Sequence, residues 1–222
     1  MHDFLWWSYV VSLGLVPIFA FALGVFSILL NPKSRAVQLW ALVSLAVTIW
    51  SSGLLLTILS ESHQVALGFT RMLYIGAVWL PVIYSHFVIV FLFWPKRHKL
   101  ILTWGYIWAL SMTFLVLFSN VIVNDVAKFN HFSYWITTGS LHTLYLLPFG
   151  FFVIFLITLL VKGYKNSDGS RRRKIFYILL ASIVGFLGGM TNFLPQTIGV
   201  YPFGTFIVFL YPILISYGIF KV

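Results

Sequence analysis

The chain has 222 residues, of which 61% are hydrophobic and 8% are charged, and its mean hydropathy is +1.00. Soluble domains carry about 25% charged residues, so this composition excludes a soluble globular protein and predicts a polytopic membrane protein. The absence of cysteine excludes disulfides and thiolate chemistry, and the net charge of +10, concentrated in short connections between apolar runs, favours lipid headgroups over nucleic acid as the partner of the basic residues.

Long apolar runs account for almost the whole sequence. A membrane-spanning helix needs roughly 20 mostly apolar residues, and seven runs meet this requirement. They cover approximately residues 5–30, 37–59, 69–94, 100–122, 140–161, 175–195 and 202–220. We therefore predict an all-α membrane protein, a seven-transmembrane helical bundle that forms a single domain over residues 1–222.

The connection Lys162–Lys174 sets the orientation of the bundle, because it holds six of the 14 Lys and Arg residues. Every second connection is basic, and together these connections hold 12 of the 14. Basic connections favour the cytoplasmic side, so we expect the N-terminus outside and the C-terminus in the cytoplasm. The other basic residues on this side are Lys33, Arg35, Lys96, Arg97, Lys99 and Lys221.

On the opposite side, segment 123–139 is the longest connection. Its β-branched and aromatic residues flank Asn124-Asp125, which predicts a short hairpin that caps the bundle and turns at this dipeptide. Trp135 is expected at headgroup level, where amphipathic rings are favoured. His142 is expected at the surface, since no local spacing supports a zinc site.

Arg71 is the most unusual residue, because it is the guanidinium at the outer edge of the third run. A charge at this depth is costly unless it is paired or reaches the interface. Three interpretations of Arg71 stay open. It is an anchor for an anionic ligand, or it forms a salt bridge with Glu61 or Asp125 whose making and breaking signals, or it is an interfacial side chain that reaches the headgroups.

His86 follows Arg71 by fifteen positions, about 22 Å deeper and about 60° round a straight helix, so the two face roughly one side of the bundle. Tyr74 and Trp79 lie between them. A histidine in the middle of the membrane can bind a ligand or titrate, or it can be a hydrogen-bonded core residue, and both interpretations stay open.

The sixth run carries a stripe of small and polar residues at helical spacing. Gly185 and Gly189 would allow close helix packing, and Asn192 and Gln196 would point into the outer half of the bundle. The stripe either packs with one interhelical hydrogen bond or forms a polar ligand pocket together with Arg71.

Catalytic and cofactor motifs are absent from the sequence. There is no His-Glu-x-x-His, no Gly-x-Ser-x-Gly and no phosphate loop, and the seventh run has no internal lysine for a retinal Schiff base. We predict no enzyme activity, no cofactor and no metal site.

Three residue pairs hint at an internal repeat. Pro17 and Pro148, Pro81 and Pro212, and Ser85 and Ser216 share a single sequence offset. Runs one to three and five to seven would then be parallel repeats joined by run four, as in small transporters with a three-plus-one-plus-three plan. Coincidence among eight prolines is the favoured explanation, because the rest of the offset alignment only pairs apolar residues with apolar residues, and the repeat is a hypothesis.

The end of the chain carries the residues of a family resemblance. Segment 188–204, Gly-Gly-Met-Thr-Asn-Phe-Leu-Pro-Gln-Thr-Ile-Gly-Val-Tyr-Pro-Phe-Gly, leads into Tyr211-Pro-Ile-Leu-Ile-Ser-Tyr-Gly-Ile-Phe-Lys221. This stretch, with Arg71-Met-Leu-Tyr74 and Pro81, resembles the N-terminal seven-helix sensor region of bacterial histidine kinases; Gly218 stands where that family has Ala.

The resemblance implies a multi-pass protein of the bacterial cytoplasmic membrane that receives a stimulus and passes it on. Its last helix would continue into a cytoplasmic signalling domain or contact a partner protein, and a homodimer is a further expectation. Kinase activity would need domains beyond Val222.

Our first hypothesis is a non-catalytic sensor with a stimulus site near Arg71, Tyr74, Trp79, His86, Asn192 and Gln196. The alternative is a small-solute transporter, and a third is a membrane scaffold.

Overall fold

The computed structural model describes residues 2–94 and 98–220, apart from the side chains of His2, Asp3 and Leu5. The basic residues Lys96, Arg97 and Lys221 lie outside this part of the chain. Nine α-helices and two strands are formed within it. They are α1 (His2–Leu30), α2 (Arg35–Leu59), α3 (His63–Phe91), α4 (Lys99–Phe118), β1 (Val123–Phe129), β2 (Phe132–Thr138), α5 (His142–Lys165), α6 (Gly169–Met190), α7 (Leu194–Ile198), α8 (Thr205–Val208) and α9 (Leu210–Phe220).

Helix α3 is the centre of the bundle and contacts α2, α4 and α5. In its most apolar part 72% of the residues are buried, against 28% in α1 and 22% in α4. The outer helices α1 and α4 therefore expose most of their apolar side chains, as expected of helices that face lipid. The two ends of the bundle are named here the hairpin end, where β1 and β2 lie, and the basic end, where α2 and α6 begin.

Six helical segments of the described chain are long and apolar enough to cross a membrane. A seventh, the final segment Thr205–Phe220, is shorter. It runs antiparallel to α6, because Gly204 at its start packs against Gly188 and Gly218 near its end packs against Lys174 and Tyr177. The final segment thus ends at the basic end, while α1 begins at the hairpin end, where Tyr9 contacts Phe132 of β2.

The predicted helix positions agree with the structure, but several boundaries differ. Helix α6 begins at Gly169 rather than at 175, so the basic residues Arg171–Lys174 lie in its first turns and not in a loop. The predicted start at 175 is late because it marks the first residue of the apolar run, whereas the helix extends beyond that run through its cationic residues. At the other end, the predicted run 175–195 is divided into α6, a 3-10 turn (Thr191–Phe193) and α7.

The predicted hairpin is confirmed, but the predicted turn at Asn124-Asp125 is wrong. Both residues lie in β1, and Phe129 pairs with Phe132 across a two-residue turn. Asn130 in that turn has a φ of 49°, a left-handed conformation that asparagine tolerates better than most residues. Helix α4 stops at Phe118, short of the predicted residue 122, and leaves room for the chain to enter the hairpin.

Candidate functional site

A small cavity lies under the hairpin and contacts three of the six predicted ligand residues. It has a volume of about 20 Å³ and is lined by Tyr74, Asn192 and Gln196, together with Trp135 of β2. This volume is enough for about one water molecule. We call it the upper cavity.

The polar groups beside the upper cavity are hydrogen-bonded across elements. The Tyr74 hydroxyl lies 2.8 Å from His142 Nε2 at the start of α5, and Trp135 Nε1 donates to Gln196 Oε1 at 2.8 Å. His142 is only 4% exposed, so the prediction that placed it at the surface is wrong. Trp135, only 3% exposed, packs inside the protein at the hairpin end. Each has a partner more than 60 positions away in sequence, which no local pattern reveals.

Asn192 joins three parts of the chain at the edge of this cavity. Its Oδ1 accepts hydrogen bonds from the Tyr9 hydroxyl of α1 at 2.9 Å and from Thr205 Oγ1 of α8 at 3.1 Å. Its Nδ2 donates to Gly189 O at 3.1 Å. Because Asn192 is 7% exposed, these bonds replace water and hold the turn after α6 against the first and last helices.

The neighbouring Thr191 makes a second tie between the same elements. Its Oγ1 accepts from Gly204 N at 3.0 Å and donates to Gly188 O at 2.6 Å. The connection between α6 and α8 is therefore fixed at both of its ends. Within it, burial raises the pKa of the Tyr201 phenol.

A second cavity, the lower cavity, lies deeper in the bundle. It has a volume of about 40 Å³ and is lined mainly by apolar side chains, with Gly185, Gly189 and Tyr211 at its border. Trp50, Ala77 and Phe193 line both cavities and separate them.

The two glycines predicted to pack helices lie in different surroundings. A Cβ atom on Gly185 would lie 2.7 Å from the ring of Tyr211, whereas one on Gly189 would meet its nearest neighbour, Trp50, at 3.9 Å. Among the glycines of α6, the one that approaches another backbone is Gly188, which the sequence pattern did not single out: a Cβ atom there would lie 2.9 Å from Gly204 O.

The other three predicted residues, Arg71, Trp79 and His86, face α4 rather than the cavities. Trp79 Nε1 donates to Thr113 Oγ1 at 3.0 Å, and His86 Nδ1 lies 2.8 Å from the Tyr106 hydroxyl. Tyr74 lies about 120° round the helix from His86, which is why it points into the bundle instead. The six candidates therefore form two groups on opposite sides of α3.

Arg71 has neither of the predicted acidic partners. Its Nη2 donates to Asn120 Oδ1 at 2.8 Å, just after α4. Asp125 instead pairs with His63, with 2.7 Å between Oδ1 and Nε2. The prediction considered only acids, whereas a neutral amide at the end of α4 lies within reach.

The comparison with known protein families decides the class of the chain. The model of one family, described as the N-terminal 7TM region of histidine kinase, matches residues 12–222. The chain belongs to this family. The resemblance predicted from Arg71–Tyr74, Pro81 and the end of the chain is thus confirmed. No curated protein and no solved structure matches the chain.

This histidine-kinase 7TM region is a multi-pass membrane protein with two small internal cavities near its hairpin end. The upper cavity is lined mostly by apolar side chains, such as Leu54, Leu73 and Ile136, and its polar lining groups are uncharged. It is therefore suited to water or to a ligand with few polar, uncharged atoms. In the described part of the chain, no three His, Asp or Glu side chains form a group that could hold a metal ion.

Proposed function

We propose that the chain is a non-catalytic sensor whose stimulus acts at the upper cavity and is relayed through α6 and the final segment. The N-terminus would lie outside the cytoplasmic membrane, and the final segment would lead to a cytoplasmic signalling domain. The observation that carries the proposal is Asn192, which borders the cavity and is hydrogen-bonded to α8, the start of the final segment. The family match supports the same role.

The size of the upper cavity indicates how a stimulus would act. Its volume of about 20 Å³ admits little more than one water molecule, so a larger ligand has to displace a lining side chain. Trp135 is the movable wall, because it belongs to the hairpin rather than to a membrane helix. A ligand that enters only when Trp135 is displaced favours that arrangement and shifts the population towards it.

Displacement at the cavity reaches the basic end through rigid elements. Asn192 and Thr191 tie the start of the final segment to the end of α6, and the final segment packs along α6 as far as Lys174. A change at this tie would therefore shift the far end of the final segment, where a signalling domain would follow. The hydrogen bond between Arg71 and Asn120 is a second point at which a stimulus could act on α3 and α4.

The test is Asn192→Ala in the seven-helix region fused to a histidine-kinase core with a measurable output. Loss of Asn192 leaves the buried Tyr9 and Thr205 hydroxyls without their shared acceptor and frees α8. We expect the basal output to change several-fold, in either direction, with membrane insertion unchanged. Thr197→Ala is the matched control, since this exposed hydroxyl bonds only within its own turn of the chain.

The same fusion also tests Arg71, which belongs to the group of predicted residues that faces α4. Once a stimulating condition is found, Arg71→Ala is expected to abolish the response while the bundle still inserts. An unchanged output in both Asn192→Ala and Arg71→Ala would discard the proposed relay. Solute flux into liposomes that contain the chain, absent from empty liposomes, would favour the transporter instead.

A further inference from the structure

A wide cleft opens at the basic end, far from the two cavities. It lies between the start of α2, the end of α3 and the start of α6, and its volume is about 800 Å³. Among the described residues that line it, three are cations, Arg35, Arg171 and Lys174, and none is acidic. Like charges at such positions repel one another, so an arrangement that gathers three of them favours an anion between them.

The walls of the cleft are amphipathic. Val90, Phe91 and Phe93 at the end of α3 provide an apolar side beneath the cations. Phe93 is 77% exposed and lies under the Arg171 guanidinium, with 5.3 Å between Cζ and the ring centroid. Charge above and apolar surface below match a molecule that carries an anionic group on a hydrocarbon body.

With respect to the described residues, Arg171 keeps most of its hydrogen-bonding capacity for such a group. Among them it makes one long hydrogen bond, from Nη2 to Leu92 O at 3.4 Å, and a guanidinium has five N–H donors. Helices α2 and α6 both begin beside the cleft, so the positive ends of their dipoles add to the field of the side chains.

We propose that this cleft binds a phosphate group, supplied in the membrane by the headgroup of an anionic phospholipid. Guanidinium groups bind phosphate oxygens in pairs, and basic pockets between membrane helices suit anionic headgroups. The position of the cleft at the end of three membrane helices, with an apolar wall towards the bilayer, favours a lipid over a dissolved phosphate. The acyl chains would lie against Val90 and Phe91.

The test uses the full chain purified in an uncharged detergent and titrated with phosphatidylglycerol or phosphatidylcholine of identical acyl chains. Bound lipid is counted by native mass spectrometry. We expect at least tenfold tighter retention of phosphatidylglycerol. The combined variant Arg35→Gln, Arg171→Gln, Lys174→Gln is expected to lose this preference.

The control removes the same charge from the same end of the bundle. Lys162→Gln, Lys165→Gln and Arg173→Gln together change three exposed cations that do not line the cleft, and this variant is expected to keep the preference. Arg35→Gln alone, which leaves the Arg171 contacts intact, is expected to weaken retention at least threefold and guards against misfolding of the combined variant.

Three outcomes would overturn the proposal. Equal loss in the combined variant and its control would mean that diffuse surface charge attracts the lipid. Equal retention of phosphatidylcholine would mean that only the apolar wall is used. Binding of millimolar inorganic phosphate that depends on the three cations, without lipid retention, would assign the cleft to a dissolved anion.

Discussion

The buried hydroxyl groups of Tyr74 and Tyr145 differ in their hydrogen bonding. Both side chains are almost fully buried and their rings lie 5.3 Å apart. Tyr74 bonds to His142, whereas the Tyr145 hydroxyl has no hydrogen-bond partner among the described residues. Removal of the hydrogen-bonded hydroxyl is expected to lower the stability of the bundle, whereas removal of the unpaired one is not.

Tyr74→Phe is expected to destabilise the bundle by about 1–3 kcal/mol, because it leaves the buried His142 ring without its partner. Tyr145→Phe removes an unpaired polar atom and is expected to be neutral or slightly stabilising. The measurement is the free energy of unfolding by denaturing detergent, with both variants in the same micelle. Equal losses in the two variants would show that the bond between Tyr74 and His142 contributes nothing.

At the scale of single elements, hydrophobic runs predicted the membrane helices because each must bury or shield about 20 apolar residues. The same logic misplaced His142 and did not predict the burial of Trp135, since aromatic and polar residues at the end of a run resemble interfacial residues. Their burial depends on the hairpin folding back over the bundle and on partners in α3 and α7. The candidate residues of α3 fall into two groups because α4 lies on one side of α3 and the cavities lie on the other. The sequence pattern does not reveal which helices flank α3.

The contact between α6 and α8 is another feature that the sequence pattern did not predict, here at a single glycine. Gly185 and Gly189 are four residues apart and fit the small-residue spacing expected for close helix contact. In the structure, backbone meets backbone one residue earlier, where Gly188 faces Gly204. A Cβ atom on Gly188 would also lie 2.8 Å from a methyl group of Val208.

Gly188→Ala is therefore expected to push α8 away from α6 and to lower the free energy of unfolding by about 1–3 kcal/mol. Gly189→Ala serves as the control, because its added methyl group would meet only Trp50 at 3.9 Å, an ordinary contact, and alanine is the better helix former. The comparison again uses denaturing detergent. A Gly189→Ala variant that is less stable than Gly188→Ala would contradict the observed packing.

On the scale of the whole molecule, the two ends of the bundle differ in chemistry. At the basic end, cations lie in the last turn of α5 and in the first turns of α6, and the cleft between α2, α3 and α6 gathers three of the described cations. The opposite end is closed by the hairpin, with hydrogen bonds between uncharged side chains at the upper cavity and the pair His63–Asp125 beside the hairpin. Because the final segment returns along α6, the described chain runs from the hairpin end to the basic end, and the proposed sensor function requires such an arrangement.

The orientation of the bundle in the membrane can be tested directly, because the chain has no cysteine and single cysteines therefore report without background. Ser133→Cys places a thiol on an exposed position of β2, and Asn166→Cys places one at the exposed connection before α6. Since cationic connections stay in the cytoplasm, a membrane-impermeant maleimide is expected to label Ser133→Cys in intact cells and Asn166→Cys only after permeabilisation. The reverse pattern would invert the proposed topology, and labelling of both sites in intact cells would contradict a hairpin end and a basic end on opposite sides of the bilayer.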